Sequence, residues 1–162
     1  MRFKTENDLK TISINEMKIE KMRLLENTLE LTMEGARIAA NNPHNNRFEE
    51  VYSMQTQVLF RDVSLHAFRE QGYKYYDADG NLLDEVPSKD LSEEERKQVV
   101  EEASGDYVYQ LTCLDEEQGI WLLIFDVEDE DNCIVDTFEI EFTFGSSLIS
   151  WDRFAGPVDE KS

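Results

Sequence analysis

Basic residues are scarce in this chain: 16 Lys and Arg stand against 36 Asp and Glu in 162 residues, a formal net charge of −20. A field of that sign repels phosphate backbones and anionic lipid surfaces, whose binding rests on Lys and Arg, so nucleic acid and membranes are poor partners. Only two cysteines occur, Cys113 and Cys133, with no C-x-x-C spacing. Neither a disulfide framework nor a cysteine metal cluster is expected from them. Histidine is equally sparse: His44 lies in the Asn-rich stretch 41–46 and His66 on the polar side of an expected strand. No G-x-S-x-G, H-E-x-x-H, P-loop or G-x-G-x-x-G pattern accompanies them, so no catalytic residue, metal or cofactor is expected. No apolar run approaches the length that spans a bilayer. The start, Met1 to Asp8, turns polar at once without the apolar centre of a signal peptide, so the expectation is a cytoplasmic protein with reduced thiols.

What the chain does contain is enough to fold. Hydrophobic residues make up 40%, with nine Phe, six Tyr and two Trp, which is too apolar for a disordered chain. The length predicts a single domain over 1–162, with 1–11 and 155–162 as frayed tails. Its clearest architectural signal is the stretch 107–144, three β-rich runs at 107–114, 120–126 and 133–144. In the third run Ile134, Phe138, Ile140, Phe142 and Phe144 fall on one face by period two, which predicts an antiparallel meander with one buried and one wet side.

Residues 17–33 alternate as a hairpin with a turn at Glu26-Asn27, although Ile19, Met22 and Leu25 also satisfy helical spacing. Gly35 breaks that alternation, and 36–40 is expected to add a short strand. The run 55–68 is apolar on both faces near Leu59, which suggests either a central strand or a bulge that changes facing. Gly72 to Leu83, around Asp77-Ala78-Asp79-Gly80-Asn81, is the best local turn signal. Ser92-Glu93-Glu94-Glu95 opens the one expected helix, 92–103, through a capping box, with Gly105 past its end. The last short strand is 148–151. Together these elements predict a mainly β (α+β) fold, an antiparallel sheet folded as a sandwich or strongly bent, with one short surface helix.

Negative charge gathers in the connections of the meander: Asp115, Glu116 and Glu117 in the first, Asp126, Glu128, Asp129, Glu130 and Asp131 in the second. Such runs are either solvated faces, collectors of hard cations, or surfaces for a basic protein partner, and the last role is assigned here to all eight residues. Asp77, Asp79, Gly80 and Asn81 resemble a calcium loop in composition only. An EF-hand needs Gly sixth and Glu twelfth, whereas Gly80 is fourth and Ser88 twelfth, so a plain hairpin turn is expected.

The layout as a whole resembles small bacterial cytoplasmic proteins of unassigned role, including immunity proteins encoded beside polymorphic or contact-dependent toxins. The residues that carry it are Tyr73-Lys74-Tyr75-Tyr76-Asp77-Ala78-Asp79-Gly80-Asn81-Leu82-Leu83, the Glu139-Ile140-Glu141-Phe142-Thr143-Phe144 run, the closing Trp151-Asp152-Arg153-Phe154 and the acidic balance. The resemblance implies a non-enzymatic inhibitor that occludes a basic toxin, often a nuclease. Two alternatives stand beside it: a small-ligand-binding or enzymatic β-barrel or sandwich with an internal site, and a module that assembles through a sheet edge.

Overall fold

The structure, a computed structural model, describes residues 1–158. Strands take 59% of the residues and helix 6%, so the fold is mostly β, with antiparallel sheets and one strongly curled half-barrel. In chain order the elements are β1 (Phe3–Glu6), β2 (Ile12–Ser13), β3 (Ile19–Leu24), β4 (Thr28–Ile38), β5 (Val51–Arg61), β6 (Ser64–Glu70), β7 (Tyr73–Tyr76) and β8 (Leu82–Val86). They continue as β9 (Lys89–Asp90), α1 (Glu93–Glu102), β10 (Val108–Asp115), β11 (Ile120–Asp129), β12 (Ile134–Thr143), β13 (Ser146–Trp151) and β14 (Arg153–Pro157). No helix among the described residues is long and apolar enough to cross a membrane.

The first sheet runs β1-β13-β5-β4-β2, with β14 also on β5 and β3 also on β4; the second runs β10-β11-β12-β6-β9. Their buried residues form one cluster. Phe60 of β5 meets Phe142 and Phe144 at ring-centroid distances of 5.2 and 4.8 Å, edge-on and tilted, the arrangements aromatic quadrupoles favour.

Alternation explains β4, where Leu29, Leu31 and Met33 are buried while their neighbours look outward; in β3 the buried Ile19 and Met22 are three apart, across a bulge between Ile19 and Lys21. Gly35 does not end the strand, as its break in the pattern suggested, and 36–38 belong to the same β4. Instead the inward face changes there, from Leu29, Leu31 and Met33 to Ala36 and Ile38. A β-carbon at Gly35 would run into the carbonyl oxygen of Ser53, so the glycine lets two backbones approach. On the partner strand β5 the change comes at Gln55, whose φ is 49°, with Val51 and Ser53 inward before it and Thr56, Val58 and Phe60 after it. A facing change at one level of two paired strands bends both, as a bulge does.

The run 55–68 is two strands in two sheets, not one. β5 ends at Arg61, Asp62 takes φ 54°, and β6 leaves in the second sheet. The N-terminal end is also tied down where its polar composition suggested fraying. β1 pairs with β13 from Phe3↔Trp151 to Glu6↔Leu148, and Phe3 stacks on Trp151 at 5.6 Å. At the other end 155–157 lie in β14, while 159–162 fall outside the described residues.

The helix follows its sequence signals. Ser92 Oγ accepts from Glu95 N, the Glu95 carboxylate accepts from Ser92 N, and Lys89 Nζ lies 2.7 Å from Glu95 Oε2. These contacts, the lysine's first, draw the Glu95 carboxyl down to about 2. Val99, Val100 and Ala103 are its buried face. The turn beyond is made by Gly105, at φ 93°, which donates its N–H to the Ile19 carbonyl.

Candidate functional site: the acidic end of the second sheet

The two acidic connections lie at opposite ends of one strand. Asp115, Glu116 and Glu117 sit at the β10–β11 turn, and Glu128, Asp129, Glu130 and Asp131 at the β11–β12 turn. At about 3.3 Å per residue, the ten residues of β11 hold those ends roughly 30 Å apart. The eight carboxylates are therefore two sets, not one surface.

Within each set some side chains are engaged in shaping the backbone. Asp115 Oδ1 accepts from Gln118 N at 3.1 Å. Asp129 accepts from Asn132 Nδ2 at 2.7 Å and from Asp131 N at 3.1 Å, contacts that hold its carboxyl below the usual range. Asp126, half-buried, accepts from Thr137 Oγ1 at 2.8 Å. That leaves Glu116 and Glu117 at one end, and Glu128, Glu130 and Asp131 at the other, exposed and without a side-chain hydrogen bond among the described residues.

The β11–β12 end is the more crowded, through carboxylates that are distant along the chain. Asp106, just before β10, accepts from Glu128 N at 3.3 Å. Burial, followed by the charges of Glu128, Asp126 and Glu130, pushes its carboxyl up against that hydrogen bond. Across the sheet in β6, burial and then Asp136 push Glu70 up, against the pull of Lys89. Asp136 pairs with Val127, and Phe138 pairs with Glu70, so these acids cross the sheet from strand to strand near one end. Like charges so placed disfavour one another.

Beside that row stands β7–β8, a two-stranded sheet of its own in which all nine residues are exposed. Its turn is built by Asp77, whose carboxylate accepts from Asn81 N at 2.8 Å, Asp79 N at 2.9 Å and Asn81 Nδ2 at 3.2 Å, with Gly80 at φ 83°. Asp77 is thus spent on the hairpin turn expected from the sequence. The arm carries Tyr73, Tyr75, Tyr76, Leu82, Leu83 and Val86 into solvent. Tyr73 feels the charges of both Asp136 and Asp84, after a stronger hydrogen-bonding influence from Tyr75, and its hydroxyl is held above the usual range. Gln71 N donates to the Thr137 carbonyl at 2.8 Å, so the arm's root lies against β12. There Ile134 and Val135 are 53% and 56% exposed, and Ile134, expected in the core, lies past the end of the packed face. Cys133 is in the turn at φ 55°, not in a strand, and both cysteines are free.

Histidine is used elsewhere. His44 Nε2 lies 2.9 Å from the Lys4 carbonyl and its ring meets Trp151 edge-on at 5.9 Å, while His66 is exposed, 3.4 Å from Thr143 Oγ1. Trp151 is fully buried and Trp121 packs partly buried against the core. Among the described residues no group of three or more His, Cys, Asp or Glu could hold a metal ion. The outer edge of β10 is partly occupied, since Glu16 N donates to Val108 O and Val108 N to Met17 O.

Asp106, Asp136 and Glu70 belong to no run of charge along the chain, since these carboxylates converge only across strands. The turn residues at 77–81 mark a hairpin but carry no signal of what covers its strands. No protein-family model, curated protein or solved structure matches the chain.

Proposed function

We propose that the protein is a non-enzymatic, cytoplasmic binding protein of the immunity type, which neutralises a basic partner such as a toxin nuclease by electrostatically complementary occlusion. It meets that partner with the β11–β12 end of the second sheet. The observation that carries this reading is the juxtaposition there of crowded carboxylates with an exposed aromatic arm. Carboxylates held in repulsion are costly in the free protein, and an opposing row of Arg and Lys would relieve them while steering encounter. Exposed tyrosines beside them are of the type that fills the centre of interfaces. A nuclease is positive where it holds phosphate, so an inhibitor of opposite sign gains both on-rate and specificity.

The test uses a basic nuclease domain of the toxin class as the partner. Its affinity is measured at 50 and 300 mM salt for the parent chain, for Asp129→Asn/Glu130→Gln/Asp131→Asn and for Asp115→Asn/Glu116→Gln/Glu117→Gln. The first triple variant is expected to weaken binding and flatten its salt dependence, and the second to leave both unchanged. Binding that is indifferent to salt and to the first triple variant overturns the assignment.

A further inference from the structure

A cleft of about 770 Å³ lies away from the acidic end and shares no residue with it. It opens between α1, the β3–β4 turn and the corner where β5 passes to β6, and its volume is that of a small-molecule site. Met22, Leu24, Val63, Leu65 and Val100 give it an apolar floor, and Met22, Val63 and Val100 are themselves buried.

Its charges run against the rest of the chain. Four of the 16 cations line it, Lys21, Arg23, Arg96 and Lys97, against three carboxylates, Glu26, Glu93 and Glu101. The carboxylates do not neutralise the cations by contact. Arg23 lies 3.8 Å from Glu30, outside the cleft, and Lys21, Arg96 and Lys97 have no ion pair among the described residues. Glu93 and Glu101 flank Arg96 and Lys97 on α1 at helical spacing and still do not reach them. Arg96 is half-buried and its Nε is buried with no hydrogen-bond partner. The two terminal nitrogens also make no hydrogen bond among the described residues and, unlike Nε, are not shut off from solvent, so the end of the fork is open to the acceptor that suits it, a carboxylate or phosphate.

We infer that this cleft binds a small amphipathic carboxylate, its aliphatic chain on the floor of Val63, Leu65 and Val100 and its head on Arg96, with Lys97 beside it. The site is independent of the basic-partner reading, and salt separates the two. The −20 charge repels a free anion from a distance, and salt screens that repulsion while leaving a desolvated contact largely intact. Affinity for the carboxylate therefore holds or rises with salt, whereas affinity for a basic partner falls.

The experiment is calorimetric titration of the full chain with decanoate, decanol and decyltrimethylammonium below their micelle concentrations, at 50 and 300 mM salt, with methyl NMR shifts of Val63, Leu65 and Val100. Decanoate is expected to bind at one site and shift those methyls, at least as tightly at 300 mM. Arg96→Gln is expected to weaken it about tenfold, the scale of a hydrogen bond to a charged group. Lys97→Gln, at an exposed position, is expected to weaken it less, and circular dichroism checks that both variants fold. No binding of decanoate, equal binding of the alcohol or the cation, or indifference to both substitutions overturns the inference.

Discussion

The hairpins β3–β4 and β7–β8 are written in similar alphabets and end differently. Both mix large apolar residues with charged ones and both turn on residues that favour a bend. In the first, Leu29, Leu31 and Met33 are fully buried, because β4 lies beside β5 in the middle of a sheet whose inward face meets the second sheet. In the second, Tyr73, Tyr75, Leu82 and Leu83 stay in water, because the chain offers no layer to cover them. Aromatic and aliphatic residues in short runs around a turn thus specify strands, while burial is decided by which other elements arrive. A large apolar residue left outside is the informative case, and here a whole hairpin of them is left.

The sharpest way to break this comparison is by truncation. Leu31→Ala is expected to cost about 2–5 kcal/mol, as removal of a core leucine does. Tyr75→Ala and Leu83→Ala are expected to stay within about 0.5 kcal/mol, as exposed positions do. Urea denaturation measures all three, and a loss at Tyr75 comparable with that at Leu31 would mean that the arm is packed after all.

Glycine substitution makes the next contrast. Gly35→Ala forces a β-carbon onto the Ser53 carbonyl and is expected to cost about 1–3 kcal/mol of global stability. Gly80 has open space around it but φ 83°, so Gly80→Ala strains the backbone by about 1 kcal/mol. That strain should show as faster hydrogen exchange in β7–β8 with no change in the denaturation midpoint, since the arm opens without the core.

Smaller effects come from pH. The lowered carboxyl of Glu95 contributes stability that is fully present above its ordinary value near 4.5 and is lost as pH falls through about 2. Glu95→Gln should flatten that limb of a stability–pH curve measured by thermal melting. Asp106 has the opposite sign. Its raised carboxyl favours the folded state below the ordinary value near 3.8, and that advantage disappears as pH rises through the folded value. Asp106→Asn should accordingly raise the melting temperature slightly at pH 7, more at low salt than at high salt, and have no such effect near pH 3.

Much of the architecture was legible. The capping box at Ser92 and Glu95 placed the helix, the turn at Asp77 to Asn81 placed the arm, and the Phe138, Ile140, Phe142 face placed β12, because each is fixed by neighbours a few residues away. What escaped depends on residues far apart. Phe3 and Trp151 are separated by nearly the whole chain, so the polar run between Lys4 and Lys10 concealed a paired strand. The division of 55–68 turned on the backbone of Asp62, where no glycine or proline flags the corner. Of the candidate site, the carboxylates 128–131 were legible as a run, whereas Asp106, Asp136 and Glu70 join them only through strand pairing.

Strand β5 pairs with β4 on one side and with β13 on the other, where Arg61 meets Ser146. Everything between those two residues, the whole second sheet and the arm, must leave the ribosome before that side of β5 can be covered. Until then the nascent chain carries a long, apolar strand with an open edge, the form most prone to pair with another chain. Closure over so long a separation is also slow once synthesis is complete. High negative charge has a second use in this interval: it keeps unfinished copies apart while the last strand is still being made.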